Sequence, residues 1–104
     1  GSVVLRDRKH LGQDGIFVIV ISVNHLTGEV VGRPDVVTRG FVHEGGAEDL
    51  IDTARDAVVK SVGRMKRDKM EPAVLHEDIR DLVSRLLYER TKRRPMVVPV
   101  IVEV

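Results

Sequence analysis

Cysteine is absent from this 104-residue chain. That excludes a disulfide framework and a thiol nucleophile, and it fits a reducing, cytoplasmic setting. Tryptophan is absent too, and aromatic residues make up 3% of the chain: Phe17, Phe41 and Tyr88. The core must then be built from Val, Ile, Leu and Ala. A nucleic-acid platform of stacked aromatic rings has too few rings to exist here. No apolar run reaches the roughly 20 residues of a membrane helix, and no stretch reads as a signal peptide. Neither sign of charge dominates, since 17 Lys and Arg against 16 Asp and Glu leave a net charge of +1. Global electrostatics therefore neither demand nor exclude an acidic partner. No GxSxG, Walker loop or dinucleotide fingerprint occurs, and Gly28 and the Gly45-Gly46 pair do not form one.

What is present is a globular composition, 42% hydrophobic and 32% charged, of a length that suits one domain with a small core margin. Two segments, Gly15 to Val23 and Met96 to Val104, are apolar at nearly every position. Strand side chains alternate between faces, so a continuously apolar strand is buried on both. The sequence between them supplies only two helices, enough for one face of a small sheet. The other face calls for a cover from outside, a second copy or a further part of a longer protein. Gly1-Ser2 reads as a cloning scar, and residues 3–14 read as a connector or an edge element rather than core, with the domain proper at 15–104.

Along the chain, Ile16 to Val23 is the first strand, with no proline and no polar residue before Ser22, and so the best choice for the sheet centre. Asn24 to Gly28 reads as a hairpin loop with Gly28 at positive φ. The return strand, Glu29 to Val31 and Asp35 to Thr38, is broken at Gly32-Arg33-Pro34, a bulge at an edge. Ala47 to about Arg67 has an apolar stripe of helical period through Leu50, Ile51, Ala54, Ala57, Val58, Ser61, Val62 and Met65. Gly63 inside it points to a close packing contact. A second helix runs from about Leu75 or Glu77 to Lys92 with Ile79, Leu82, Val83, Leu86 and Leu87 inward, and Pro95 stops it. Acids lead both helices and bases trail, as the helix dipole favours. Pro99 places the last strand at an edge. The order β-β-α-α-β gives an α+β two-layer sandwich, a three-stranded sheet with two helices on one face.

Few residues suggest chemistry. The histidines His10, His25, His43 and His76 are far apart and show no metal-motif spacing; solvated loop positions account for them better. His43-Glu44 and the carboxylates Glu48, Asp49, Asp52, Glu77, Asp78 and Asp81 are the sole basis for an independent enzyme, and dipole complementarity explains the latter group better. Two basic clusters, Arg6, Arg8 and Lys9 near the start and Lys92, Arg93 and Arg94 after the second helix, together with Arg39 beside Gly40, are candidate phosphate contacts.

Specific strings go further than these generic rules. Arg8-Lys9-His10-Leu11 with Asp14-Gly15, then Thr27-Gly28, Pro34-Asp35, Thr38-Arg39-Gly40-Phe41, the run from Leu87 to Met96 and the closing Glu103-Val104 resemble the C-terminal domain of bacterial ribonuclease J. The resemblance covers the chain after Gly1-Ser2. It implies a longer parent with a metallo-β-lactamase domain and a β-CASP insertion. That parent would be a zinc-dependent ribonuclease with 5′-to-3′ exonuclease and endonuclease activity, used in messenger RNA decay and ribosomal RNA maturation. The zinc ligands implied form an HxHxDH motif, which this chain lacks. No catalytic residue, metal ligand or cofactor is therefore assigned here. The family's small domain is a three-stranded sheet facing two helices, associated with assembly and full activity of the parent.

The expected function is thus a non-catalytic assembly module, with the parent catalytic domain, further copies of itself and, through the parent, RNA as partners, and no membrane. The candidate interface is Phe17, Ile19 and Ile21 on the first strand with Val98, Val100 and Val102 on the last, the parity of the first strand being open from sequence alone. The alternative is an RNA-contacting module that uses the basic clusters.

Overall fold

The computed structural model describes residues 14–41, 47–64 and 71–104. Strand β1 is Ile16–Val23, β2 is Asp35–Arg39, helix α1 is Ala47–Arg64, α2 is Pro72–Thr91 and β3 is Met96–Glu103. The sheet order is β2-β1-β3. β1 is antiparallel to β2 and parallel to β3. The proline-free strand takes the centre and the strands next to Pro34 and containing Pro99 take the edges, where a missing donor costs least. β2 and the two helices together form the long connection that the parallel pair β1 and β3 requires.

The hairpin is built as its sequence demands. The Asn24 side-chain oxygen accepts from the Leu26 and Thr27 amides at 2.8 and 3.2 Å, and Gly28 N donates to the Asn24 carbonyl at 2.8 Å. Gly28 has φ 75°, where a Cβ would be strained. The return chain pairs briefly, Val30 with Val23, before β2 pairs Asp35 with Val20. Val31, Gly32, Arg33 and Pro34 thus stand opposite Ile21 and Ser22 alone, a bulge that swings Arg33 onto α1. There it meets Asp52 at 3.0 Å and Asp56 at 3.9 Å. Such exposed pairs are worth little energy individually.

The core lies between one sheet face and the helices. Phe17, Ile19, Ile21 and Val23 meet Leu50, Ala54, Val58 and Val62 from α1 and Leu75, Ile79, Val83 and Leu87 from α2, with Val97 from β3. Each helix buries one i, i+4 row. Full burial of such a side chain is worth about 1.5–3 kcal/mol over leaving it exposed. Phe41 stands edge-on to Phe17, ring centroids 6.2 Å apart.

Three details differ from the sequence reading. α2 begins at Pro72, the first-turn position that proline favours. Glu77, Asp78 and Asp81 therefore sit beyond the first turn, which carries no acid, and their dipole role fades with that distance. The helix also stops before Pro95, because Lys92 turns left-handed at φ 58° and its amide closes on the Tyr88 carbonyl at 2.8 Å. Gly63, finally, marks no close contact among the described residues: a Cβ there would meet none of their atoms within 4 Å. Gly63→Ala should therefore stabilise the domain by about 0.5–1 kcal/mol through helix propensity alone. The thermal midpoint would rise by a few degrees; an unchanged or lowered midpoint would refute this. The expected end of α1 near Met65 and Arg67 falls outside the described residues.

Candidate functional site

Two surfaces stand out, one apolar and one cationic. The apolar one is the sheet face away from the helices. β1 contributes Ile16, Val18, Val20 and Ser22, which alternate with the buried set and are half-buried. In register beside them lie Met96, Val98, Val100 and Val102 on β3 and Val37 on β2. Val37 is 56% exposed, Val100 38% and Val102 39%. No described element covers this face. Asp35 and Arg39 bound it on the β2 edge.

This corrects half of the expected interface. Phe17, Ile19 and Ile21 are fully buried against the helices, so the outward parity of β1 is Ile16, Val18 and Val20. Val98, Val100 and Val102 do lie on the open face. Two residues carried the missing signal. Ser22 is the polar member of the even set and belongs outward. Phe17 is the largest side chain in the strand and belongs in the core, where its area counts most.

The cationic surface lies at the end of the sheet where β1 begins. Gly15 is its pivot. At φ +83° it is packed so tightly that a Cβ would lie 2.4 Å from the Arg39 carbonyl oxygen and 2.4 Å from the Gly40 carbonyl carbon. Its own carbonyl accepts from Met96 N at 2.9 Å, and the Asp14 carboxylate accepts from Arg94 N at 2.8 Å. Three stretches distant in sequence, Asp14-Gly15, Arg39-Gly40 and Arg94-Met96, therefore share one corner. Beside it the α2 terminus holds Tyr88, with Lys92 Nζ 5.2 Å and the Arg94 guanidinium 4.7 Å from the ring centroid. Such cation–π contacts fix the two side chains on a platform. Thr91 Oγ1 donates to the Leu87 carbonyl at 2.7 Å and accepts from Arg93 N at 3.0 Å, which sets the path into β3.

Of the expected phosphate contacts, Arg39, Lys92, Arg93 and Arg94 lie on the chain segments that converge at this corner, and all four are exposed. Arg6, Arg8 and Lys9 fall outside the described residues, as do His10 and the His43-Glu44 pair. His25 sits in the β1–β2 loop, its Nδ1 2.7 Å from the Val104 oxygen, so that nitrogen donates to the closing end of β3. His76 lies on α2. Among the described residues no three His, Asp or Glu side chains come together as a metal donor set. No helix among these residues is long and apolar enough to cross a membrane.

The stretches that meet at this corner carry the strings on which the family resemblance rests. The family model for the ribonuclease J C-terminal domain matches residues 3–104. The chain is 40% identical over 105 aligned positions to Ribonuclease J2 of Bacillus subtilis and 39% identical to Ribonuclease J 2 of Streptococcus pyogenes. It is 38% identical to Ribonuclease J 2 of Staphylococcus aureus. In each case the whole of this chain aligns with 19% of the relative's length. The chain belongs to the ribonuclease J C-terminal domain family.

Proposed function

We propose that this domain is a non-catalytic assembly module of a ribonuclease J, and that its open sheet face packs against a second copy of the chain. The parent would be an RNA-degrading hydrolase, with 5′-to-3′ exonuclease and endonuclease activity in messenger RNA decay and ribosomal RNA maturation. Its zinc would belong to the catalytic part, and its setting would be cytoplasmic. The observation that carries the assembly reading is the open face itself: Val18, Val20, Val37, Val98, Val100 and Val102 form one apolar surface opposite the helices.

The size of the face sets the strength. Eight residues of strand span about 26 Å and three strands about 14 Å, a footprint of roughly 350 Å². A standard stable interface buries about 800 Å² per partner. Association of the domain alone should therefore be weak and concentration-dependent, with the rest of the parent adding further contact. Light scattering coupled to size exclusion tests this. Mass that rises from monomer towards dimer with concentration supports the reading. A monomer at every concentration sinks self-association and leaves the catalytic part of the parent as the cover for this face.

A further inference from the structure

The open face accounts for the apolar residues but not for the cations gathered beside it. Arg39 leaves β2, Lys92 caps α2, and Arg93 and Arg94 lead into β3. They come from separate stretches of chain yet are tied to one pivot at Asp14-Gly15. The ion pairs among the described residues all lie elsewhere, at Arg33, Arg55 and Arg80 with Asp52, Asp56 and Glu77. The carboxylate at the corner, Asp14, bonds to the backbone amide of Arg94 rather than to a guanidinium. β2 and β3 flank β1, so the backbones at Arg39 and at the β3 lead-in stand roughly 10 Å apart at one end of the sheet.

We infer that this corner is a docking site for the phosphate backbone of single-stranded RNA. The inference deepens the ribonuclease reading above and does not depend on the assembly reading. Dipole complementarity explains cations on the last turn of a helix, but Arg39 belongs to a strand edge and Arg93 and Arg94 lie past the helix end. An acidic protein is the weaker occupant, because protein hot spots centre on a buried apolar or aromatic anchor. The one aromatic ring here, Tyr88, already carries Lys92 and Arg94 over it. Phosphate contact requires no such anchor and carries no base specificity.

The test is binding of a fluorescein-labelled oligouridine to the 104-residue chain, read by anisotropy between about 50 and about 200 mM KCl. R39Q/R93Q/R94Q is compared with K60Q/R64Q/R85Q, which removes the same charge from the helices. Lys92 is left in place because it caps α2. At the lowest salt the corner variant should bind roughly tenfold or more weakly, and its salt slope should fall by about 2, about 0.7 for each lost phosphate contact. The helix variant should stay near the wild type. No binding by the wild type, equal loss in both variants, or unchanged binding by the corner variant each overturns the inference; in the last case an acidic protein surface becomes the better occupant. Mass measured on the same samples keeps the two readings apart. Oligomers with corner-independent RNA binding would refute this inference alone, and monomers with corner-dependent binding would refute self-association alone.

Discussion

Gly15→Ala will cost the domain several kcal/mol, a large share of its stability. Two effects add at this position. The backbone sits at φ +83°, a left-handed conformation that costs an L-residue roughly 1–2 kcal/mol. The new Cβ would also lie 2.4 Å from the Arg39 oxygen and from the Gly40 carbonyl carbon. Those are main-chain atoms, and no side-chain rotation relieves the overlap. Relief requires the start of β1 to move away from the end of β2, where Ile16 pairs with Arg39. That movement disturbs the Phe17–Phe41 contact and the Gly15–Met96 hydrogen bond as well. A loss above about 3 kcal/mol is a large part of the 5–15 kcal/mol that holds a typical domain folded. Gly40→Ala separates strain from clash. Its φ is +66°, but the nearest atom to its Cβ would be the Gly15 Cα at 3.4 Å, an ordinary contact. Urea unfolding followed by circular dichroism should rank wild type above Gly40→Ala and Gly40→Ala well above Gly15→Ala. Equal midpoints for the two variants would show that the corner yields more easily than its packing implies.

Gly15 also marks the limit of what single-sequence reasoning reaches. The element order and the edge positions of β2 and β3 were legible, because proline and apolar period are local signals. So was the hairpin at Gly28, where a turn between two apolar runs needs a positive φ. The need for glycine at position 15 is set by the approach of Arg39 and Gly40, more than twenty residues away, and no local pattern encodes that. The outward parity of β1 stayed open for a related reason. Both faces of the strand are apolar, so alternation, which normally separates inside from outside, is almost silent. The cations were visible as residues but not as parts of one end of the sheet, since the segments carrying Arg39 and Arg93 come to flank the start of β1 only in the folded sheet. The resemblance named the family from strings of residues, and three of those strings prove to be one physical corner.

The open face yields the second large effect. Val37→Lys with Val100→Lys should abolish association of the chain while leaving its fold intact. Val37 and Val100 flank the central strand on its two sides, at 56% and 38% exposure. A lysine at either position can hold its charge in water in the monomer, so the cost to folding should stay near about 0.5 kcal/mol. In an associated pair the same charges would be buried without partners, which is far more costly. The variant should therefore remain monomeric at concentrations where the wild type associates, with an unfolding midpoint close to wild type. Val59→Lys with Val74→Lys is the matched control, since these exposed valines, at 38% and 41%, lie on the helices, and it should leave the mass unchanged. The pattern also discriminates between two ways of assembling. Face-to-face packing places Val37 and Val100 inside the interface. Edge-to-edge pairing along β3 would leave both side chains pointing away from the new hydrogen bonds, and Pro99 withholds one donor from any ladder there. A wild type that associates and a lysine variant that associates equally would therefore reject the face and point to the edge.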